Sequence, residues 1–184
     1  MSRLPLHTIE SAPEASRPYL QTVLANNGFL PNLVASLAEA PASLEAYLTL
    51  GQINARSGLT LAEREVVQIT AATVHGCAFC VAGHTAVALK KAGLAPDLVT
   101  ALRENKPVDD ARLNAVAIFT RSVIAMRGAV DDQSLNAFRK AGLTDANALE
   151  IVLGVSLATL CNFANNLAQN ELNAELQQYQ WTPM

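Results

Sequence analysis

The chain has 184 residues, long enough for one compact core and too short for two full domains. Hydrophobic residues make up 51% of it and aromatics only 5%, and glycine and proline fall mostly between apolar stretches, a composition that fits packed helices better than a sheet protein. A formal net charge of -3 leaves no basic footprint for nucleic acid or anionic lipid.

Met1 to Ala15 holds Arg3 with no apolar run behind it, and no later segment reads as an uninterrupted membrane-spanning length, so a soluble, cytoplasmic protein is expected. Three cysteines with no secretory signal argue against a structural disulfide framework. Catalytic, metal-binding or buried roles remain for them.

Along the chain, the opening stretch to Arg17 is polar and extended, and a short helix over Tyr19 to Leu24 gives way at Asn26, Asn27 and Gly28. Gly28-Phe29-Leu30-Pro31-Asn32 is a turn whose proline leads into a helix running to about Ala40, and Pro41 starts another that ends near Gly58, with Leu44, Tyr47, Leu48 and Ile53 as its apolar face. Thr60 and Glu63 form a capping box for a helix from Leu61 through Val66, Val67, Ile69 and Val74 to a stop at Gly76. The next helix starts around Cys77 and closes on Lys90-Lys91-Ala92-Gly93, a basic last turn suited to the negative end of the helix dipole and read as solvated. Pro96 opens a short helix to about Glu104. Asp109 to Arg127 is amphipathic through Leu113, Val116, Ile118, Phe119, Val123 and Met126. Asp131 to Ala141 is another short helix, and from Thr144 a long apolar one reaches Asn170, followed by a polar tail that includes Trp181. The fold class is all-α: one domain over residues 1–184, with its core at about 18–170 and both terminal segments peripheral.

A weak internal repeat runs through this pattern. Gly58-Leu59-Thr60 and Gly142-Leu143-Thr144 each precede a helix carrying a glutamate, Glu65 or, with one inserted residue, Glu150. Twelve residues beyond each stand Cys77 and Asn162, then Cys80 and Asn165, then His84 and Gln169. Only the first set has redox-active side chains.

Cys77-Ala78-Phe79-Cys80-Val81-Ala82-Gly83-His84 is the most informative segment. On one helix, positions 77, 80 and 84 lie within about 60° of each other, so both sulfurs and the imidazole share a face. Two thiols at this spacing can close a local disulfide, and a helix N-terminus favours thiolate, the nucleophile toward a peroxide. Attack gives a sulfenic acid that the neighbouring thiol condenses with, expelling water. His84, with a reference pKa of about 6.5, is the natural proton handler. Glu65 reaches His84 or Cys80 if the chain reverses at His75-Gly76. The competing readings are two small buried hydrophobes in an alanine-rich helix, and a zinc site made from the two cysteines, His84 and Glu65. For a structural zinc site a second Cys or His cluster is missing, since the other histidines are His7 and His75. His75 is expected to cap its helix, with tuning of the thiols as a second role; Cys161, beside Leu160 and Phe163, is expected in the core; and Glu65 without the cysteines is an ordinary solvated glutamate.

Glu65, eleven intervening residues, Cys77-x-x-Cys80 and three residues to His84 resemble the active-site pattern of the AhpD-like alkylhydroperoxidases of the carboxymuconolactone decarboxylase superfamily. Gly28 to Asn32, Pro41 to Leu50 and Ser57 to Gly93 look like its peroxidase-related branch. The resemblance implies an all-helical AhpD-like fold and a homotrimer or homohexamer. It also implies a peroxidatic Cys80, a resolving Cys77 and a Glu65/His84 proton relay. The substrate would be a hydroperoxide and the reductant an external thiol or dithiol, with no cofactor: no flavin, haem or nicotinamide motif is visible. One departure stands out, Phe79 where studied relatives carry a histidine. The alternatives are a thiol-disulfide oxidoreductase with little peroxidase activity and a non-redox structural or zinc-binding oligomer. The decarboxylase branch lacks the cysteine pair, which argues against lactone decarboxylation here.

Overall fold

A computed structural model describes residues 2–182. Among them there are nine α-helices, two short 3-10 turns and no strand: α1 (Arg17–Asn27), α2 (Asn32–Leu37), α3 (Pro41–Asn54), α4 (Leu61–Val74), α5 (Ala78–Lys90), α6 (Pro96–Arg103), α7 (Ala111–Ala125), α8 (Asp132–Lys140) and α9 (Asp145–Ala168), with the turns at Glu14–Ser16 and Ala174–Tyr179. The expected all-α class is the class found.

The helix starts follow local chemistry. Proline enters the first turn of α1, α3 and α6, where its missing N–H costs no hydrogen bond. Asp110 and Asp131 cap α7 and α8 by accepting from Leu113 and Ser134 backbone N–H groups. Two helices have full capping boxes. At α4 the Thr60 hydroxyl accepts from the Glu63 N–H and Glu63 Oε2 from the Thr60 N–H at 2.7 Å; at α9 Thr144 and Asn147 exchange the same pair of bonds.

Helix α4 is the centre of the molecule, packed against α5, α7, α9 and α6. Ten of its fourteen residues are buried, so it has no solvent face to alternate with, as befits a helix enclosed by others. One core cluster joins Leu20, Val34, Leu44 and Ala72 to Cys77, Cys80, Val81 and Cys161. The other gathers Val66, Val67, Ile69, Val116, Phe119, Phe138 and Ile151 around the opposite side of α4, with the Phe119 and Phe138 rings stacked at 4.2 Å. Gly154 brings α9 onto α4: a Cβ there would stand 2.9 Å from Val67 Cγ1.

Several expectations are corrected. Helices α2 and α3 stop at Leu37 and Asn54, short of Ala40 and Gly58. Ile53, Val74, Ile118 and Met126 are exposed, because a helical period marks a stripe without saying which residues at its edge meet a neighbour. The terminal segments supply core: Ala12, Leu176 and Tyr179 are buried in the first cluster. They are held by Arg3 N–H to the Ala168 carbonyl, His7 N–H to that of Ala35, and the Trp181 indole to that of Arg103. Finally, α9 has 24 residues and a mean hydropathy of 1.5, long and apolar enough on composition alone to cross a membrane. The long apolar helix is the one expected from Thr144, but it was not read as a membrane-spanning length, and Asn147, Asn162 and Asn165 lie within it. Those three side chains are buried here and α9 packs on α4, α3 and α7, as a central helix of a bundle does.

Candidate active site

Helix α4 ends at His75, Gly76 turns the chain with φ 68°, and Cys77 starts α5 as its N-cap residue in extended conformation. This break positions everything that follows. Cys77 therefore lies just outside the helix rather than on its face, and its sulfur accepts a hydrogen bond from the Cys80 N–H at 3.3 Å. The two sulfurs are joined as a disulfide across a Cα separation of 5.3 Å, well inside the range that such a bond spans. Both are buried, Cys77 at 0% exposure and Cys80 at 4%.

One turn beyond Cys80, His84 projects from the same side of α5. Its Nδ1 meets Glu65 Oε2 at 2.8 Å across the α4–α5 contact, with Glu65 buried and His84 partly open. The reversal at His75-Gly76 thus delivers the carboxylate to the imidazole, one of the two targets that the sequence left open for it. A carboxylate on Nδ1 fixes the ring and leaves Nε2 free for a second proton partner. Glu65 is therefore not a solvated helix glutamate.

The other singled-out residues lie elsewhere. His75 forms the C-cap of α4 as expected, but its ring bonds Asn162 at 3.1 Å and packs edge-on against Phe163 at 5.0 Å. Burial holds its pKa below the ordinary histidine value. Lys91 is exposed, and Lys90 is not simply solvated: its ammonium stands 5.4 Å from the centre of the Tyr179 ring. Among the described residues no three His, Cys, Asp or Glu side chains converge as a metal-ligating group.

Glu65 and His84 line a cavity of about 290 Å³ whose other walls come from α3, α4 and α9. Sequence reasoning missed its remaining residues, among them Tyr47, Gly51, Asn54, Gln68 and Leu157. Cys161, expected only in the core, is buried and also faces this cavity; burial pushes its thiol up to about 12, far from a reactive thiolate at neutral pH. Burial, with Cys161 and Glu65 adding to it, likewise holds the Tyr47 phenol above its ordinary value.

Residues 41–121, which hold α3 to α5 and with them the disulfide, Glu65 and His84, match the carboxymuconolactone decarboxylase family. A comparison with curated protein sequences finds no match. Among solved structures, the chain is similar to an AhpD-core, uncharacterized peroxidase-related protein from Ralstonia eutropha, with a TM-score of 0.85 and 24% identity over 95% of this chain and 94% of that one. It is similar to an uncharacterized peroxidase-related protein from a Silicibacter species, with a TM-score of 0.80 and 20% identity over 97% and 94%. It is also similar to a variant of the debrominase Bmp8 in complex with 2,3,4-tribromopyrrole, with a TM-score of 0.78 and 16% identity over 96% and 94%. The fold likeness extends over nearly the whole chain, and the match to the carboxymuconolactone decarboxylase family covers the segment with the cysteine pair: the protein has the all-helical fold of the AhpD-like structures and contains a segment that matches that family.

Proposed function

We propose that the protein reduces hydroperoxides by cycling Cys77 and Cys80 between dithiol and disulfide, with Glu65 and His84 moving the protons. The observation that carries this reading is the 2.8 Å Glu65–His84 contact, held one turn from Cys80 in a pair that closes as a disulfide. The same fold serves a debrominase, so the fold alone does not choose the reaction; the side chains do.

In the reduced protein the Cys80 thiolate attacks the terminal oxygen of R–O–O–H. The O–O bond breaks, Cys80 becomes a sulfenic acid, and the departing alkoxide takes a proton from His84, whose imidazolium is stabilised by Glu65. The Cys77 thiol then displaces hydroxide from the sulfenic sulfur, giving the disulfide and, with a proton, water. An external thiol or dithiol supplies the two electrons that restore both thiols, a step suited to the reducing cytoplasm. Cys80 is the attacking thiol in this scheme because it is the less enclosed of the two and the nearer to His84 along α5. A homotrimer or homohexamer fits the exposed apolar side chains Leu149, Phe163 and Leu167 along α9.

Phe79 supports a second reading. It is buried and apolar next to Cys80, so it gives no further group to activate the thiol, which favours exchange with another disulfide over peroxide cleavage. One experiment separates the two: mix the reduced protein with a stoichiometric organic hydroperoxide, follow peroxide loss, and map the cysteine products by mass spectrometry. Rapid loss with a Cys77–Cys80 disulfide is expected, with Cys80→Ser falling to background and Cys77→Ser stopping at a trapped sulfenic acid after one turnover. Full turnover by Cys80→Ser, or two persistent thiols beside unreacted peroxide, removes the peroxidase reading. Turnover of a disulfide reporter without peroxide would then favour exchange.

A further inference from the structure

Helix α9 buries one side and leaves the other bare. Ile151, Gly154, Ala158 and Asn162 are buried, on the side packed against its neighbours. Leu149, Val152, Phe163 and Leu167 are four of the eleven large hydrophobic side chains exposed among the described residues, and Leu149 at 72% and Leu167 at 64% are the two most exposed of all. Ser156, exposed, and Leu160, half-buried, lie between them. At 100° per residue all six fall within about 80° of arc, one row on one face of the helix. The same side of α9 forms a wall of an open groove of about 650 Å³ beside α7. Single exposed leucines are ordinary, whereas a contiguous apolar row marks a contact surface.

Three properties of the row say what covers it. The first is symmetry: Val152 and Leu160 stand four residues either side of Ser156, and Leu149 and Phe163 seven. An antiparallel copy laid along the row, with Ser156 at a twofold axis, sets apolar side chain against apolar side chain and brings the smallest residue of the row to the centre. The second is charge. Helix α9 has no Lys or Arg, and its two acidic residues are engaged, Asp145 with Arg139 and Glu150 with the Gly58 N–H. The row therefore repels no second copy, and the helix lacks the basic face with which an amphipathic helix lies on an anionic membrane. The third is extent. Leu149 to Leu167 is about 27 Å along the helix, close to the roughly 30 Å width of a patch of about 800 Å², the area that a stable interface takes from each partner.

We infer that the outer face of α9 is a twofold interface with a second copy of this chain. The two α9 helices run antiparallel with Ser156 on the axis, Leu149 against Phe163 of the second copy and Val152 against its Leu160. Phe163 also packs edge-on against His75 at 5.0 Å, so the contact abuts the turn that starts α5. A twofold requires an even number of chains, which a homohexamer or a dimer satisfies and a homotrimer does not. This interface gives the assembly proposed above its geometry, and it is independent of the peroxidase cycle.

The test uses the full-length protein in its disulfide form. Light scattering on the eluting gel-filtration peak should give a mass of an even number of chains, and Phe163→Glu, a change at an exposed position, should halve that mass with helical content unchanged. Ser156→Cys should cross-link two chains under mild oxidation, because a disulfide needs Cα atoms within about 7 Å of each other. Ala146→Cys, exposed on the same helix but ten residues from the axis, lies about 15 Å from it and should not. The parent chain is the blank, since Cys77 and Cys80 already share a disulfide and Cys161 is buried. A monomer or a three-chain assembly, an unaltered mass for Phe163→Glu, or equal cross-linking of Ala146→Cys and Ser156→Cys would each overturn the inference. So would binding of a monomeric parent protein to phosphatidylglycerol vesicles, which would make the face a membrane surface. No peroxide is present, so failure of the disulfide cycle leaves these outcomes standing.

Discussion

Helices α4 and α5 and helix α9 begin alike and end differently. Each unit opens on Gly-Leu-Thr with a full capping box and a glutamate in its second turn. The first unit then breaks at His75-Gly76, which creates a new helix start for Cys77 and Cys80 and lays α5 against α4 so that Glu65 reaches His84. The second unit runs through without a break. Asn162 and Asn165 are buried in a continuous helix, Gln169 ends it in the left-handed conformation, and Glu150 accepts a hydrogen bond from the Gly58 N–H at 2.6 Å. The comparison teaches that two residues of turn, His75 and Gly76, separate a continuous rod from a hairpin that carries the disulfide and the Glu65–His84 pair.

The largest expected effect lies in the first unit. Glu65→Gln or His84→Ala should slow peroxide consumption by about 10²-fold, within the range lost with a general acid or base, with little change in thermal midpoint. Single-turnover rates on the reduced protein measure this, and unchanged rates would remove the pair from the mechanism. Where the two units touch, Gly154→Val should destabilise by about 2 kcal/mol in urea unfolding, because the added side chain collides with Val67.

The two capping boxes differ in chemistry, and acid should reveal it. Burial raises the Glu63 pKa, but the hydrogen bond from Thr60 and the ion pair with Arg112 outweigh it, leaving the carboxyl below its ordinary value of 4.5. Its contribution to stability is therefore complete above 4.5 and is lost as the pH falls through the lowered value. The Asn147 box has no such dependence. Unfolding followed from pH 6 to pH 3 should lose part of its pH slope in Glu63→Gln, and an unaltered slope would mean that Glu63 is not a source of it. The smallest change is Glu150→Gln: about 1 kcal/mol from the weakened bond to Gly58, with peroxide turnover untouched. A loss of turnover there would make the two glutamates functional equivalents, which the comparison denies.

Much of the first unit was legible in the sequence because its signals are local. Thr60 with Glu63 is a four-residue pattern, Gly76 a single-residue stop, and Cys77, Cys80 and His84 lie within eight residues. Glu65 was recognisable by spacing, while its choice of His84 over Cys80 depended on how α4 meets α5. The cavity was not legible, since Tyr47 and Asn54, Gln68, and Leu157 and Cys161 come from three helices brought together by packing alone. The one signal available was Gly51, an unforced glycine in a helical stretch. The core role of Leu176 and Tyr179 escaped for a related reason: in a segment rich in glutamine, two buried side chains leave no period to detect.

That tail has a consequence for the order in which the molecule is completed. Leu176 and Tyr179 belong to the same cluster as Cys77 and Cys80, and Tyr179 also receives Lys90 from roughly ninety residues earlier. During synthesis α4 and α5 emerge long before their cover does. The first cluster, which holds the cysteine pair, is complete only when residues 176–179 have been made, so in a ribosome-bound chain it is finished late.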